Sequence, residues 1–92
     1  MWNVYILKCV GNRYYVGITV DVKRRFNEHV KGMGAHFTAK NSPKEIMYCE
    51  PYDTKSLAMK RERQLKRWSR AKKEALFMGN AEQLRRLSTS HD

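Results

Sequence analysis

Residues 2–20 of this 92-residue chain, WNVYILKCVGNRYYVGITV, carry its clearest structural pattern. Residues 2–8 and 14–20 are rich in β-branched and aromatic side chains, which are typical of strands. Gly11 and Asn12 between them form a dipeptide that favours a tight turn. The stretch therefore predicts a β-hairpin.

The side chains of this hairpin alternate between two faces. The even positions are apolar and are predicted to face the core: Val4, Ile6, Val16, Ile18 and Val20. The odd positions form a mixed face: Tyr5, Leu7, Tyr15, Gly17 and Thr19. A loop centred on Gly11 pairs Tyr5 with Gly17, where the missing side chain leaves room for a ligand. A shift of one residue would exchange the two faces, so the pairing is a testable prediction.

A helix is predicted over residues 22–31, capped by Asp21 or Thr19. Its apolar stripe is formed by Val22, Phe26 and Val30. Arg25 and His29 are four residues apart and lie on the flank of that stripe.

The rest of the chain predicts one α+β domain. Residues 32–43 contain two glycines, a Ser-Pro pair and no clear period, which indicates a loop, and residues 45–52 read as a third strand. Helices are predicted over residues 53–68 and 69–78, with a final turn or two around Leu84 and Leu87. The predicted order is β-β-α-β-α-α in a single domain over residues 1–87, followed by a frayed tail over residues 88–92.

Charge points to a polyanionic partner. Nineteen Lys and Arg residues outnumber nine Asp and Glu residues, so the formal net charge is +10. Such an excess favours nucleic acid, because each neutralised phosphate releases counterions. An acidic membrane surface would attract the same charge, but the chain has no long apolar run and no signal peptide. We therefore expect a cytoplasmic protein that binds nucleic acid and does not enter a membrane.

The two cysteines, Cys9 and Cys49, are too few and too far apart for a zinc site of familiar spacing. Both lie in apolar strand-like stretches, which predicts free buried thiols.

Glu62 is out of pattern for an amphipathic helix. It lies on the inward stripe that Ala58 and Leu65 define, four residues after the first and three before the second. Burying this carboxylate without a partner would be costly, so it should meet a cation. Two interpretations stay open: a salt bridge to Lys66 four residues on, or a Mg²⁺ ion that also binds water and phosphate.

Four other side chains could act on a phosphodiester. Arg25 could grip a phosphate, since a guanidinium matches phosphate oxygens, but the basic run 23–25 is equally typical of a solvated surface. His29 could relay a proton near neutral pH, although a lone helical histidine is more often simply packed. Tyr5 and Tyr15 are, by themselves, ordinary strand residues. Their ordered spacing with Arg25, His29 and Glu62 is what favours catalysis.

That ordered set resembles the GIY-YIG nuclease family. Asn3-Val4-Tyr5 is similar to the first family tripeptide and Tyr15-Val16-Gly17 to the second, with the tyrosines ten positions apart. The similarity to the small bacterial branch of the family extends over residues 4–76 and includes Arg25, His29 and Glu62. The tripeptides alone are weak motifs, but the ordered set is specific.

The resemblance implies a three-stranded antiparallel sheet with flanking helices, and hydrolysis of DNA with one divalent metal ion, Mg²⁺ or Mn²⁺. By position, Glu62 would hold the metal and Arg25 the phosphate. Tyr5 and Tyr15 would line the site, one of them helping to deprotonate the attacking water with support from His29. An ordinary phenol titrates near pH 10, so we expect Arg25 and the metal to lower the pKa of the tyrosine base. The residues expected to contact the substrate are Gly17, Thr19 and Lys40.

Two departures from the family pattern concern the site. Asn3 replaces the first glycine, and Ile18 stands where many relatives have a lysine, so His29 is expected to serve in place of that lysine.

Two other functions compete with the nuclease. One is a non-catalytic nucleic-acid-binding module that keeps the scaffold and the charge; the other is a basic protein that only docks acidic partners, which leaves Glu62 unexplained. Structured or damaged DNA is the candidate substrate of the nuclease. The sequence does not name the substrate, and specificity would come from residues 32–43 or from a partner protein.

Overall fold

The structure is a computed structural model that describes residues 1–88. The first half contains β1 (Trp2–Cys9), a 3₁₀ turn (Val10–Asn12), β2 (Arg13–Thr19), α1 (Val22–Val30) and α2 (His36–Lys40). The second half contains β3 (Pro43–Tyr52), α3 (Lys55–Lys66), α4 (Arg70–Phe77) and α5 (Ala81–Ser88). The predicted α+β class and the order of elements are confirmed, with α2 added.

The three strands form one antiparallel sheet in the order β2-β1-β3. The hairpin turns through Gly11 and Asn12, which both have positive φ, a conformation that glycine and asparagine tolerate best. Tyr5 pairs with Gly17 and Ile6 with Val16, so the predicted register is confirmed. This register brings Tyr5 and Tyr15 to the same face of the sheet.

Helices cover both faces of the sheet. On the side of α3 and α4, called here the α3/α4 side, the buried core consists of Val4, Ile6, Val16, Ala58 and Leu65. Three of the even-numbered strand residues are therefore buried as predicted. Ile18 is only half-buried, and Val20 is exposed because β2 ends at Thr19.

On the opposite side, called here the α1/α2 side, the odd-numbered residues Tyr5, Leu7 and Cys9 are also buried. They pack against Phe26 of α1 and Phe37 of α2. The odd-numbered face is therefore a second interior, because α1 and α2 lie over it.

Helix α2 corrects the prediction that residues 32–43 form a loop. This five-residue helix has no side-chain hydrogen bond at its N-cap, Ala35, so it carries no local start signal. It is held by tertiary contacts, since Phe37 packs on the buried strand residues and Thr38 is buried.

The exposed side of α1 also differs from the prediction. His29 is fully buried, whereas Val30, assigned to the apolar stripe, is 53% exposed. The helix is rotated toward its polar flank because His29 has hydrogen-bond partners in the interior. Cys49 is likewise exposed and not buried, while Cys9 is a buried free thiol as predicted.

Local capping signals are confirmed. Asp21 accepts a hydrogen bond from the Arg24 amide, Ser69 from Lys72, and Asn80 from Gln83. The tail predicted over residues 88–92 begins with Ser88, which is the last residue of α5, and residues 89–92 lie outside the described part of the chain.

Candidate active site

The centre of the site is a hydrogen bond between two fully buried side chains. The Tyr5 hydroxyl on β1 lies 2.8 Å from Nε2 of His29 on α1. The two residues are brought together only when α1 packs across the sheet, since they are 24 positions apart. A phenol and an imidazole in this contact can exchange a proton.

Thr38 decides which histidine nitrogen carries the proton. Its hydroxyl donates to the Ala35 carbonyl at 3.0 Å, and it lies 2.6 Å from Nδ1 of His29. Because a threonine hydroxyl has one proton, it must accept a hydrogen bond from Nδ1–H. Nε2 is then unprotonated in the neutral ring and accepts the Tyr5 proton. The chain of donors runs from Tyr5 to His29 and from His29 to Thr38.

Two glycines make room for this chain. A Cβ on Gly17 would lie 2.6 Å from the Tyr5 hydroxyl oxygen, and a Cβ on Gly34 would overlap the His29 ring. The space over Gly17 that the sequence analysis assigned to a ligand is therefore filled by the Tyr5 phenol. Gly17 acts by letting Tyr5 lie flat across the neighbouring strand.

Tyr15 closes the cluster from β2. Its ring centroid lies 5.0 Å from that of His29 and 6.3 Å from that of Tyr5, and the ring stacks on Phe37. Tyr15 is only half-buried, unlike Tyr5. The cluster therefore has an interior member, Tyr5, and a member at the surface, Tyr15.

Burial controls the protonation of the tyrosines. It raises the pKa of Tyr5 well above its ordinary value, with a further increase from Tyr15. Arg25 lowers the pKa of Tyr5, as expected, but without a metal ion it does not overcome burial. The effect of a metal ion on this pKa stays a prediction. Burial also raises the pKa of Tyr15, against the positive charges of Lys66 and Arg25. Both phenols are therefore protonated at neutral pH.

His29 is shifted in the opposite direction. Burial, followed by the positive charge of Arg25, lowers its pKa. The imidazole is therefore neutral near pH 7 and has a free lone pair on Nε2.

Arg25 lies between this interior and the surface. Its side chain is 33% exposed, and one guanidinium nitrogen lies 2.9 Å from a carboxylate oxygen of Glu28. Its positive charge lowers the pKa values of Tyr5, Tyr15 and His29. A partly exposed guanidinium beside a proton-accepting pair can meet an incoming phosphate.

Glu62, on α3, acts on the same cluster through its charge. Its side chain is 18% exposed, its charge acts on both Tyr5 and Tyr15, and its carboxylate lies 3.3 Å from Nζ of Lys66. The salt bridge that the sequence left open is thus present. Within residues 1–88, no group of three His, Cys, Asp or Glu side chains could hold a metal ion. A lone carboxylate still fits Mg²⁺ or Mn²⁺, because these ions take their remaining ligands from water and phosphate.

Two further residues, Thr19 and Lys40, were predicted to contact the substrate. The Thr19 hydroxyl is buried and hydrogen-bonded to the backbone of Asp21, where it supports the start of α1. Lys40 is exposed at the end of α2.

Three residues of the site were missed by reading the sequence. Thr38 and Gly34 lie in the supposed loop, and Lys66 was considered only as a partner of Glu62. The one local signal was for Lys66, whose i,i+4 spacing from Glu62 puts both on one side of α3. Its positive charge lowers the pKa of Tyr15.

The chain is similar to known proteins over most of its length. The model of the GIY-YIG catalytic domain matches residues 1–75. The chain is 47% identical over 77 residues to a UPF0213 protein of Halobacterium salinarum, covering 84% of this chain and 100% of that protein. It is 44% identical over 81 residues to a UPF0213 protein of Vibrio cholerae, covering 87% of this chain and 80% of that one.

A solved structure matches as well. The solution NMR structure of a UPF0213 protein from Bacillus halodurans superposes with a TM-score of 0.52 at 39% identity, covering 83% of this chain and 82% of that one. In addition, none of the helices in residues 1–88 combines the length and the hydropathy needed to cross a bilayer. The matched family model, which spans both tyrosines, Arg25, His29 and Glu62, identifies the chain as a member of the GIY-YIG family with a nuclease fold.

Proposed function

We propose that this protein is a divalent-metal-dependent endonuclease that hydrolyses phosphodiester bonds in DNA. The observation that carries the proposal is the buried hydrogen-bond chain Tyr5–His29–Thr38, beside a partly exposed Arg25 and the carboxylate of Glu62. A purely structural core would not need an oriented proton acceptor beside a guanidinium and a carboxylate.

Tyr5 acts as a proton relay in this proposal. As the water oxygen bonds to phosphorus, the bond from phosphorus to the leaving sugar oxygen breaks, and that oxygen takes a proton from solvent water. At the same time the Tyr5 oxygen takes the proton of the attacking water and its own proton passes to Nε2 of His29. A standing phenolate is unfavourable, because burial raises the pKa of Tyr5. A coupled transfer avoids that charge, since the lowered pKa of His29 keeps its lone pair free before the reaction.

Arg25 binds the scissile phosphate. A guanidinium offers two parallel N–H donors to phosphate oxygens and neutralises the charge that develops as the water attacks. Its present partner Glu28 is a partly exposed carboxylate one turn along α1, so a phosphate can replace it at modest cost.

Glu62 would hold the metal ion, with water and the phosphate as the remaining ligands. The ion would supply a Lewis acid at the phosphoryl oxygen. Lys66, whose side chain is 51% exposed, can move aside when a divalent cation takes its place at the Glu62 carboxylate.

The remaining elements of the proposal concern substrate and location. The net charge of +10 favours nucleic acid, and we assign DNA with a structured or damaged site, acted on in the cytoplasm. Residues 32–43 or a partner protein would supply specificity.

The test is cleavage of labelled single-stranded, duplex, branched and flap DNAs with Mg²⁺ or Mn²⁺. We expect metal-dependent cutting that Glu62→Gln abolishes. Glu82→Gln is the matched control, since Glu82 forms the same kind of i,i+4 salt bridge on α5. Arg25→Ala should abolish cutting with little loss of affinity for DNA. Cutting that persists in Glu62→Gln would remove this residue as the metal ligand.

A second candidate is a nucleic-acid-binding module without catalysis. It is favoured by one observation, the Glu62–Lys66 salt bridge that satisfies the carboxylate without a metal. Salt-sensitive DNA binding without cutting of any substrate in the panel would establish it and contradict the nuclease.

A further inference from the structure

A cavity of about 760 Å³ lies at the C-terminal end of α3 and the start of α4. We call it the basic pocket. Five of its lining residues are cations: Lys60, Arg63, Lys66, Arg67 and Lys72. The lining contains no carboxylate and one aromatic residue, Trp68.

The arrangement of these cations follows from helix geometry. Lys60, Arg63 and Arg67 are spaced i, i+3 and i+7, so they share one face of α3 and its C-cap. That face is turned away from Ala58 and Leu65, which pack into the core. Like charges on one face repel one another, so the cluster gains most when an anion binds among them.

Lys72 makes the pocket more than a solvated surface. Its side chain is 5% exposed, and within residues 1–88 it takes part in no salt bridge. Its Nζ lies 4.3 Å from the centroid of the Trp68 ring. The aromatic face attracts this ammonium but does not neutralise its charge, so an anion can bind beside it.

Trp68 serves as a support for cations. The Arg61 guanidinium carbon lies 5.1 Å from the same ring, so two cations contact it. The ring is therefore less available for stacking on a base. A pocket of this composition recognises phosphate and not base identity.

Lys66 joins the basic pocket to the candidate active site. It lines the pocket, contacts Glu62 at 3.3 Å, and its charge acts on Tyr15. An anionic chain leaving the site can therefore pass from cation to cation into the pocket.

We propose that the basic pocket binds a backbone phosphate of the DNA strand that flanks the scissile bond, on the α3 side of the site. The proposal rests on the proposed function and adds the direction in which the strand leaves the site. Because the contacts are to phosphate, the pocket fixes the position of the strand without reading its sequence.

The test measures DNA binding in EDTA, so that it does not depend on cleavage. The variant Arg63→Gln/Arg67→Gln removes two exposed cations of the pocket, and Arg13→Gln/Arg85→Gln removes two exposed arginines outside it. For the pocket variant we expect weaker binding and a salt dependence of log Kd that is smaller by about 2, roughly 1 for each phosphate contact. Equal losses in the two variants would overturn the proposal, because binding would then follow total charge alone.

A second measurement reports on the pocket itself. In a Trp2→Phe background, Trp68 is the one remaining tryptophan, and its fluorescence should change when a short oligonucleotide fills the pocket. Lys72→Met should remove that change while leaving the circular dichroism spectrum intact. An unchanged fluorescence signal on saturation with DNA would contradict the proposal. Binding at the pocket without any metal-dependent cutting would keep the phosphate site but reject the nuclease, and with it the assignment of the bound strand to one side of a scissile bond.

Discussion

Tyr5 and Ile6 are neighbours on β1 and both are buried, yet they enter two different interiors. Ile6 lies in the aliphatic core of the α3/α4 side. Tyr5 lies on the α1/α2 side, where its hydroxyl begins the chain of hydrogen bonds through His29 to Thr38. One face of β1 thus packs in the aliphatic core and the other contributes to the candidate active site, because successive side chains point to opposite faces.

The polar groups on the two sides of the sheet differ in how their hydrogen bonds are satisfied. On the α3/α4 side, Glu50 accepts hydrogen bonds from Tyr48 and Tyr52 and pairs with Arg61, so all the groups satisfy one another. On the α1/α2 side, the hydrogen-bond chain ends at Tyr5, next to Arg25 and Tyr15, which are only partly buried. A closed polar cluster, whose members satisfy one another, stabilises the fold. An open cluster, which ends beside partly exposed residues, can act on a substrate.

The largest effect should come from Tyr5→Phe, which removes one oxygen from the open cluster. We expect cleavage to fall by about 10² to 10⁴, the usual contribution of general base catalysis. The fold should be retained, because the ring still fills the space over Gly17. The matched control is Tyr48→Phe on the α3/α4 side, which should cleave DNA at the rate of the unchanged protein. Similar cleavage rates for the two variants would contradict a catalytic role that is specific to the open cluster.

Ile6→Ala tests the packing side. We expect the free energy of unfolding to fall by about 2–5 kcal/mol, because the substitution leaves a cavity in the aliphatic core. Urea denaturation gives this value, and cleavage should be measured at a temperature at which the variant is still folded. Cleavage per folded molecule should then match that of the unchanged protein. A specific loss of catalysis would mean that the two sides are not independent.

Thr38→Val tests the orientation of His29. The valine keeps the shape but leaves Nδ1–H without an acceptor, so the proton can move to Nε2 and block transfer from Tyr5. We expect kcat to fall by about 10- to 100-fold, as for other groups that orient a functional histidine, with KM unchanged. Thr38→Ser should restore activity, since it keeps the hydroxyl. Failure of serine to restore kcat would assign Thr38 a packing role only.

The smallest effect concerns pH. Since burial lowers the pKa of His29, the acidic limb of kcat/KM should lie below the ordinary histidine value of about 6.5. The free energy of unfolding should change over the same pH range. Below about pH 6.5 the unfolded chain protonates His29 more readily than the folded protein does. The contribution of neutral His29 to stability is therefore complete above about pH 6.5 and is lost as the pH falls toward the folded pKa. A pH–rate profile and unfolding curves between pH 4 and 8 measure both. An acidic limb at or above 6.5 would contradict a buried neutral His29.

The hairpin, its register and the helix starts at Asp21, Ser69 and Asn80 could be predicted from local sequence patterns. These features are local, since strand alternation, a Gly-Asn turn and side-chain caps act within a few residues. Pairing of Tyr5 with Gly17 followed directly from the turn position. Arg25, His29 and Glu62 were candidates from their residue types and spacing, and the family resemblance assigned a role to each.

The contacts between these candidate residues could not be predicted, because they depend on the packing of distant parts of the chain. Helix α2 is too short to be stable alone and forms because Phe37 packs on the sheet, which brings Thr38 to His29. The burial of His29 in place of Val30, and the filling of the space over Gly17 by Tyr5, depend on contacts between distant parts of the chain. Local patterns encode the direction of a side chain, but the pKa and the hydrogen-bond partner of a buried group depend on what packs against it.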